Sequence, residues 1–370
     1  MAPPPSRLAV ALLVCGAAAV CSVIAVNASK DSILAVAAWC AAQWMPMAPP
    51  HVRNRWQAFA WQHWEEARQR PIGLANEELA VVYVQEHMHD LSEYLNDTFG
   101  KEWRKRPLLM KGLWSHAQLR NSSRRFSVEG LLQEKLTVPY FTDARLQGAL
   151  APDSAAPIQA VVANITAGAP HKIGTQLFVQ TYPQLIQEVA PVDIMTELFG
   201  NYFQPQHVQG TGPFQLLPAL TTVPMFVANG KGAQAEAKQQ PFTALHCEPI
   251  GNIAVQLSGR KQWTLIRPEY SHLVKPSASP DGRAFFASWA TDYSKVPTYT
   301  AVTAAGDAMW VPTWTWHRVD YMDAAEGDDV IAIGGSLFHF RPLDFVRNNP
   351  LFAVLMIPSL VLELVGYNTQ

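Results

Sequence analysis

At 370 residues the chain is long enough for one large domain with appended segments. Charged residues are only 16% and aromatics reach 10%, with twelve tryptophans, which excludes a disordered chain and favours a thick β core. The net charge of −2, with no basic patch or arginine-rich arm, excludes nucleic acid as an expected partner.

Arg7 precedes an uncharged run from Leu8 to Val26, long for a signal-peptide core and about right for a membrane span. Residues 1–30 therefore read as a signal anchor. Val26-Asn27-Ala28 also has the small-residue look of a cleavage site, so a signal peptide and a secreted product is the alternative. The single Arg7 sets the N-terminus on the cytosolic side. Contact with the membrane through this segment, in a type II single-pass arrangement with the domain in the ER or Golgi lumen, is the expected localisation. Asn27, Asn96, Asn121 and Asn164 each open an Asn-x-Ser/Thr sequon, which fits that address. Of four cysteines, Cys15 and Cys21 lie in the apolar run, and Cys40 and Cys247 form neither a disulfide framework nor a zinc pattern.

Residues 31–100 read as a helical linker and flank. The stretch 32–50 ends in Pro46, Pro49 and Pro50. Trp56, Phe59, Ala60 and Trp64 recur at helical spacing until Arg70-Pro71-Ile72-Gly73 breaks the pattern, and a second helix is expected from Glu77 to Phe99. The domain is placed at 101–345. Within it, Ser127 caps a short helix, and Tyr140 to Asp143 is a strand. Gly148 to Pro157 is read as a loop, Ile158 to Ile165 as a strand, and Tyr182 to Leu198 as a helix interrupted at Pro191. Phe214 to Val227 alternates as strands do, and Gly230 to Gln240 is a polar loop.

The run Phe242-Thr243-Ala244-Leu245-His246-Cys247-Glu248 carries the first chemical signal. On a strand, His246 and Glu248 share a face and Cys247 points to the other. Asn252 to Leu257 reads as the next strand, Ser258 to Lys261 as a turn, and Gln262 to Ile266 as a third strand. Residues 271–300 form a long insertion. Gly306-Asp307 then opens a turn and a strand stopped at Pro312, with Trp316-His317-Arg318-Val319 beyond. Two imidazoles and one carboxylate are the ligand set that holds non-haem Fe(II) and leaves coordination positions open. The tail, residues 346–370, carries an apolar run from Leu351 to Gly366 interrupted by Pro358 and Glu363. It reads as a helix packed on the domain or in a homodimer.

Several runs in order resemble the cupin-like branch of the JmjC family of Fe(II)- and 2-oxoglutarate-dependent dioxygenases. They are Thr243 three residues before His246, Gly259-x-Lys261-x-Trp263-x-Leu265 with Pro268, and Gly306-Asp307 to Pro312 followed by Trp316-His317-x-Val319. Trp103 to Leu113 looks like the family's opening strand. The resemblance covers about residues 90–345. It implies a mainly β fold with helical flanks, a double-stranded β-helix or jelly-roll barrel. It also implies Fe(II) on His246, Glu248 and His317, and 2-oxoglutarate resting on Lys261 and Thr243, with Asn252 beside it. The carboxylate is Glu here, where many cupin-like members carry Asp; some histone-demethylase branches also use Glu. The reaction implied takes O2 and 2-oxoglutarate and hydroxylates, or demethylates, a protein side chain or small molecule. The competing reading is a non-catalytic cupin-like binding or scaffold module tethered at a membrane.

Overall fold

The computed structural model describes residues 78–356 with several interruptions, of which 199–220 and 231–240 are the largest. The expected N-terminal anchor, the amphipathic stretch at 51–70 and the tail beyond 356 lie outside the described residues, as does most of the polar loop at 230–240. Among the described residues no helix is long and apolar enough to cross a membrane.

The strands in chain order are β1 (Ala80–Tyr83), β2 (Leu108–Lys111), β3 (Thr137–Phe141), β4 (Ser154–Pro157), β5 (Lys172–Thr175), β6 (Thr221–Thr222), β7 (Met225–Asn229) and β8 (Phe242–Cys247). They continue with β9 (Gly251–Ser258), β10 (Arg260–Ile266), β11 (Pro276–Ala278), β12 (Phe286–Ser288), β13 (Tyr299–Thr303), β14 (Ala308–Val311), β15 (Trp316–Met322) and β16 (Ile331–His339). They form two sheets. The large one runs β1-β2-β14-β9-β16-β7-β5-β3-β4, with β6 on β16; the small one runs β11-β12-β8-β15-β10-β13.

The two sheets face each other across an apolar interior. Leu109, Ala254, Met309 and Val311 from the large sheet pack with Trp263, Leu265 and Val319 from the small one. Strand alternation sends the intervening residues outward. On the large sheet these are Ile253, Val255, Leu257 and Ile333, which meet a helical layer containing Val161, Val162 and Ile165. On the small sheet Leu245, Cys247 and Trp316 meet Trp314, Phe345 and Phe352. The result is mainly β, a jelly-roll barrel with helical flanks.

Three expectations are corrected. Ile158 to Ile165 is not a strand but helix α3 (Ile158–Thr166), following α1 (Leu91–Phe99) and α2 (Val128–Leu131). Its β-branched residues suggested extended chain, yet Ile158, Val161, Val162 and Ile165 recur at helical spacing and are the ones buried. The segment expected to be helical from Glu77 forms an α-helix only from Leu91, after one 3-10 turn at Val84–Glu86; Ala80–Tyr83 pairs in parallel with β2 and lengthens the large sheet. Finally, Ser154–Pro157 is no loop but an edge strand on β3. Ser127 does cap α2, its side chain accepting from Gly130 N.

The beginning of the tail packs on the barrel. Phe352, Ala353 and Met356 are buried, and the Phe352 ring stacks on Phe286 at 4.1 Å.

Candidate metal centre

Strand β8 supplies His246, and Glu248 follows directly after its last residue, Cys247. His317 of β15 stands directly opposite His246 of β8 in antiparallel register, so both imidazoles face the interior. Two steps along β15 bring Val319 opposite Thr243, which is three steps from His246. The extra residue on β8 is a bulge. Simple alternation would put Thr243 and His246 on opposite faces; the bulge turns both inward.

A turn before β15 fixes the third position. Trp314 has a positive φ of 67° and is fully buried. That backbone is costly for a bulky residue and persists where packing over-determines it. Its backbone N–H donates to Glu248 O at 2.9 Å, and its indole N–H donates to Phe345 O at 2.8 Å. The peptide of Glu248 is thus tied to the loop that carries His317. Asp307 pins the opposite end of β14, accepting from Lys111 Nζ at 2.6 Å and from the backbone N–H of Gly112 and Ala304.

His246, Glu248 and His317 come together with one ligand atom from each within 4.8 Å of the others. The two rings lie 4.2 Å apart, and His246 Nε2 is 3.8 Å from Glu248 Oε1. Both Nδ1 atoms face carbonyls: His246 Nδ1 is 2.7 Å from Ala244 O and His317 Nδ1 is 3.1 Å from Thr315 O. A carbonyl only accepts, so Nδ1 carries the proton and each Nε2 lone pair is left for a metal. Burial, then the neighbouring His246, lowers His317 to about 4, which keeps it neutral at ordinary pH. Burial pushes the Glu248 carboxyl up, but His246, His317 and Arg283 together bring it below its usual value.

The residues present fit a divalent ion. Glu248 Oε2 is buried and has no hydrogen-bond partner, a costly state for a carboxylate oxygen that a bound cation would relieve. Two imidazoles and one carboxylate whose ligand atoms converge are a donor set that suits a divalent transition metal. Cys247 takes no part: it is fully buried on the opposite face, and burial pushes its thiol up.

Lys261 enters the interior from β10, four residues along the strand from Leu265, which pairs with His317. It is buried, with Nζ over the ring of Tyr321 at 5.3 Å and that of Phe226 at 5.7 Å. Burial, then Lys172, lowers it to about 7. Tyr321 hydrogen-bonds to Thr243 and burial raises its pKa. Thr243 and Lys261, separated in sequence, are thereby joined through Tyr321. Asn252 is also buried with Oδ1 unpartnered, but it pairs with Val311 and Phe338, four residues along β9 from Gln256. Gln256 is the β9 residue at the Lys261 end: a Cβ built on Gly334 would meet Lys261 Nζ at 2.8 Å and Gln256 Oε1 at 3.4 Å. Sequence reasoning missed Tyr321, Gln256 and Lys172. Tyr321 was within reach, since His317, Val319 and Tyr321 alternate on one face of a single strand.

Among the other histidines, His171 holds the Thr142 carbonyl through Nδ1 and His339 is buried against Trp310, while His207 lies outside the described residues.

A family model described as a cupin-like domain matches residues 104–333, well over half of the chain. No match was found among curated proteins. The matched span runs from the segment before β2 into β16 and encloses the His246, Glu248 and His317 cluster, so the chain belongs to the cupin-like family, of the JmjC type.

Proposed function

We propose that this protein is an Fe(II)- and 2-oxoglutarate-dependent oxygenase that hydroxylates, or demethylates, a protein side chain or small molecule. The observation that carries the reading is a conjunction inside one barrel. A cluster of two imidazoles and a carboxylate lies at one level, and a buried lysine with hydroxyl neighbours lies deeper in the same interior.

When bound, Fe(II) with a chelating 2-oxo acid supplies the oxidising power to convert O2 and a C–H bond into a C–O bond, releasing CO2 and succinate. His246, Glu248 and His317 would hold the ion. Their backbone ties set each ring's tautomer and direction before any ligand arrives. Lys261 would receive the distal carboxylate of 2-oxoglutarate, with Thr243 donating its hydroxyl, so the anion's desolvation is offset by a charge and by donors. The apolar wall of Leu109, Trp263, Leu265 and Val319 keeps water from the interior. If the carbon attacked is attached to nitrogen, the hydroxylated product loses formaldehyde and the outcome is demethylation.

The same proposal places the enzyme in the secretory pathway, anchored through Leu8 to Val26. That argues for a lumenal or membrane protein, or a small metabolite, as substrate over nuclear partners.

The reading is tested by O2 consumption in the presence of 2-oxoglutarate. Consumption should require added Fe(II) and cease with chelator; iron-independent consumption, or none after iron loading together with no 2-oxoglutarate binding, contradicts it.

A further inference from the structure

The long insertion between β10 and β13 reaches the metal end of the barrel. Its strand β12 lies along β8, with Phe286 opposite Cys247 and Ala287 opposite His246. Alternation sends Phe286 outward with Cys247, where it stacks on Phe352. Ala287 and Phe285 fall on the face that carries His246. The Phe285 ring meets the His246 imidazole edge-on, 6.0 Å between ring centres at 83°.

Arg283 is folded back onto that ring. The backbone N–H of Phe285 donates to Arg283 O at 2.9 Å, a turn of three residues, and the guanidinium carbon lies 4.8 Å from the Phe285 ring centre. Phe285 is buried and Arg283 half-buried. The order from the cluster outward is thus imidazole, phenyl ring, guanidinium.

The charge of Arg283 is felt inside the barrel. Burial raises the Glu248 carboxyl, and His246, His317 and Arg283 together bring it below its usual value. The side-chain hydrogen bond to Glu248 comes from His246, so Arg283 acts on it through space. Burial first and Arg283 second lower Lys172 to about 8, and Lys172 Nζ is 3.2 Å from Thr243 Oγ1 in the interior. A half-exposed arginine whose field covers both groups stands where the interior meets solvent.

Charge balance says what such a position recruits. A divalent ion and the 2-oxoglutarate dianion cancel, and Lys261 offsets Glu248. The charges described around the cluster are then weighted to the positive side by Lys172 and Arg283, a field that draws anions. Lys172 is sealed inside, whereas Arg283 meets solvent. A guanidinium carries five N–H donors in a planar fork, so a neighbour that holds one edge leaves another for a carboxylate. A phosphate, with close to two negative charges, fits less well beside Glu248.

We propose that Arg283, seated on Phe285, anchors a carboxylate of the substrate to be hydroxylated, so that the enzyme acts on an acid whose reacting C–H bond lies near that carboxylate. This rests on the oxygenase reading and names its substrate class. The anchored carboxylate is not consumed. Of the two oxygen atoms of O2, one enters the C–H bond and one enters succinate; one electron pair comes from 2-oxoglutarate as it loses CO2, the other from the C–H bond.

The test is calorimetry on the full-length protein loaded with Mn(II) and saturated with 2-oxoglutarate. Two acidic probes are titrated: N-acetylaspartate, and a capped pentapeptide alternating alanine with glutamate. Each is compared with its amide counterpart, which carries asparagine or glutamine. The parent should bind at least one acid about 10- to 100-fold tighter than its amide, the difference expected for a charge-assisted contact. Tighter binding of the pentapeptide assigns the carboxylate to a polypeptide, tighter binding of the small acid to a metabolite, and either supports the anchor. Arg283→Met should erase the preference. Arg283→Lys, which keeps the charge without the fork, should retain part of it. Mn(II) affinity should not fall in either variant. Equal binding of acid and amide by the parent, or a preference that survives Arg283→Met, overturns the anchor and leaves the oxygenase reading standing. A loss of Mn(II) affinity in Arg283→Met overturns it too, because the guanidinium would then serve the Glu248 carboxylate. A parent that takes no 2-oxoglutarate overturns both.

Discussion

Replacing Lys261 with methionine keeps the length and apolar stem of the side chain and removes its charge. In the ligand-free protein, burial first and Lys172 second lower this amine from 10.5 to about 7. A lysine whose folded pKa lies below its unfolded value destabilises the fold. Below about pH 7 the amine is protonated in both states and the cost is complete; the cost fades as pH rises from about 7 to 10.5, where the folded amine is neutral and the unfolded one still binds a proton. At about 1.4 kcal/mol per pH unit, the cost is about 5 kcal/mol at pH 6.5 and about 1 kcal/mol at pH 10. Metal-free Lys261→Met should therefore be more stable than the parent by that order at pH 6.5, with the gap closing toward pH 10. Urea unfolding of both proteins at the two pH values measures it. Saturating Mn(II) and 2-oxoglutarate should narrow or reverse the gap at pH 6.5, because a ligand that binds the folded parent stabilises it by mass action. A Lys261→Met protein that is less stable than the parent at pH 6.5, or a gap that does not change with pH, would refute the assignment of Lys261 as a buried amine awaiting an anion.

Two further outcomes are expected. Gly334→Ala places a Cβ 2.7 Å from Val255 O and 2.8 Å from Lys261 Nζ; it should cost about 1–3 kcal/mol of stability and weaken 2-oxoglutarate more than it weakens metal, and parent-like 2-oxoglutarate binding would show that the amine does not need that space. The natively expressed protein should gain mobility on gels after glycosidase treatment, since the Asn164 sequon is exposed on α3, and the gain should shrink in Asn164→Gln; no change on treatment would contradict a lumenal domain.

Much of the chemistry was legible because it lies on local patterns. His246 and Glu248 are two apart at the end of one strand, Glu248 just past its last residue, and Lys261 follows a Gly259 turn with φ of 65° that only glycine adopts freely. The strands expected at Asn252–Leu257 and Gln262–Ile266 sit inside β9 and β10 with boundaries off by two residues or fewer. What escaped depended on distant partners. Lys172 is an ordinary lysine in a short strand, and its place beside Thr243 is created by β5 pairing with β7 across the large sheet. The bulge on β8 is likewise invisible to alternation, although Thr243 could not face the interior without it. The misread helix α3 shows β-branched composition outvoting a spacing that tertiary burial obeys. Ala80–Tyr83 became a strand because β2 offered an unpaired edge, information that the segment's own residues do not contain.

Succinate formed from 2-oxoglutarate by the full-length protein, loaded anaerobically with Fe(II) and then exposed to O2, is the decisive readout of oxygenase activity. Slow turnover without the substrate to be hydroxylated suffices, so no substrate need be known. His317 is buried opposite His246 with its Nε2 turned to the cluster, and His317→Ala should remove succinate formation together with iron retention. Succinate at equal rates from parent and His317→Ala would contradict the metal centre, and no succinate from an iron-loaded parent that also fails to bind 2-oxoglutarate would contradict the oxygenase.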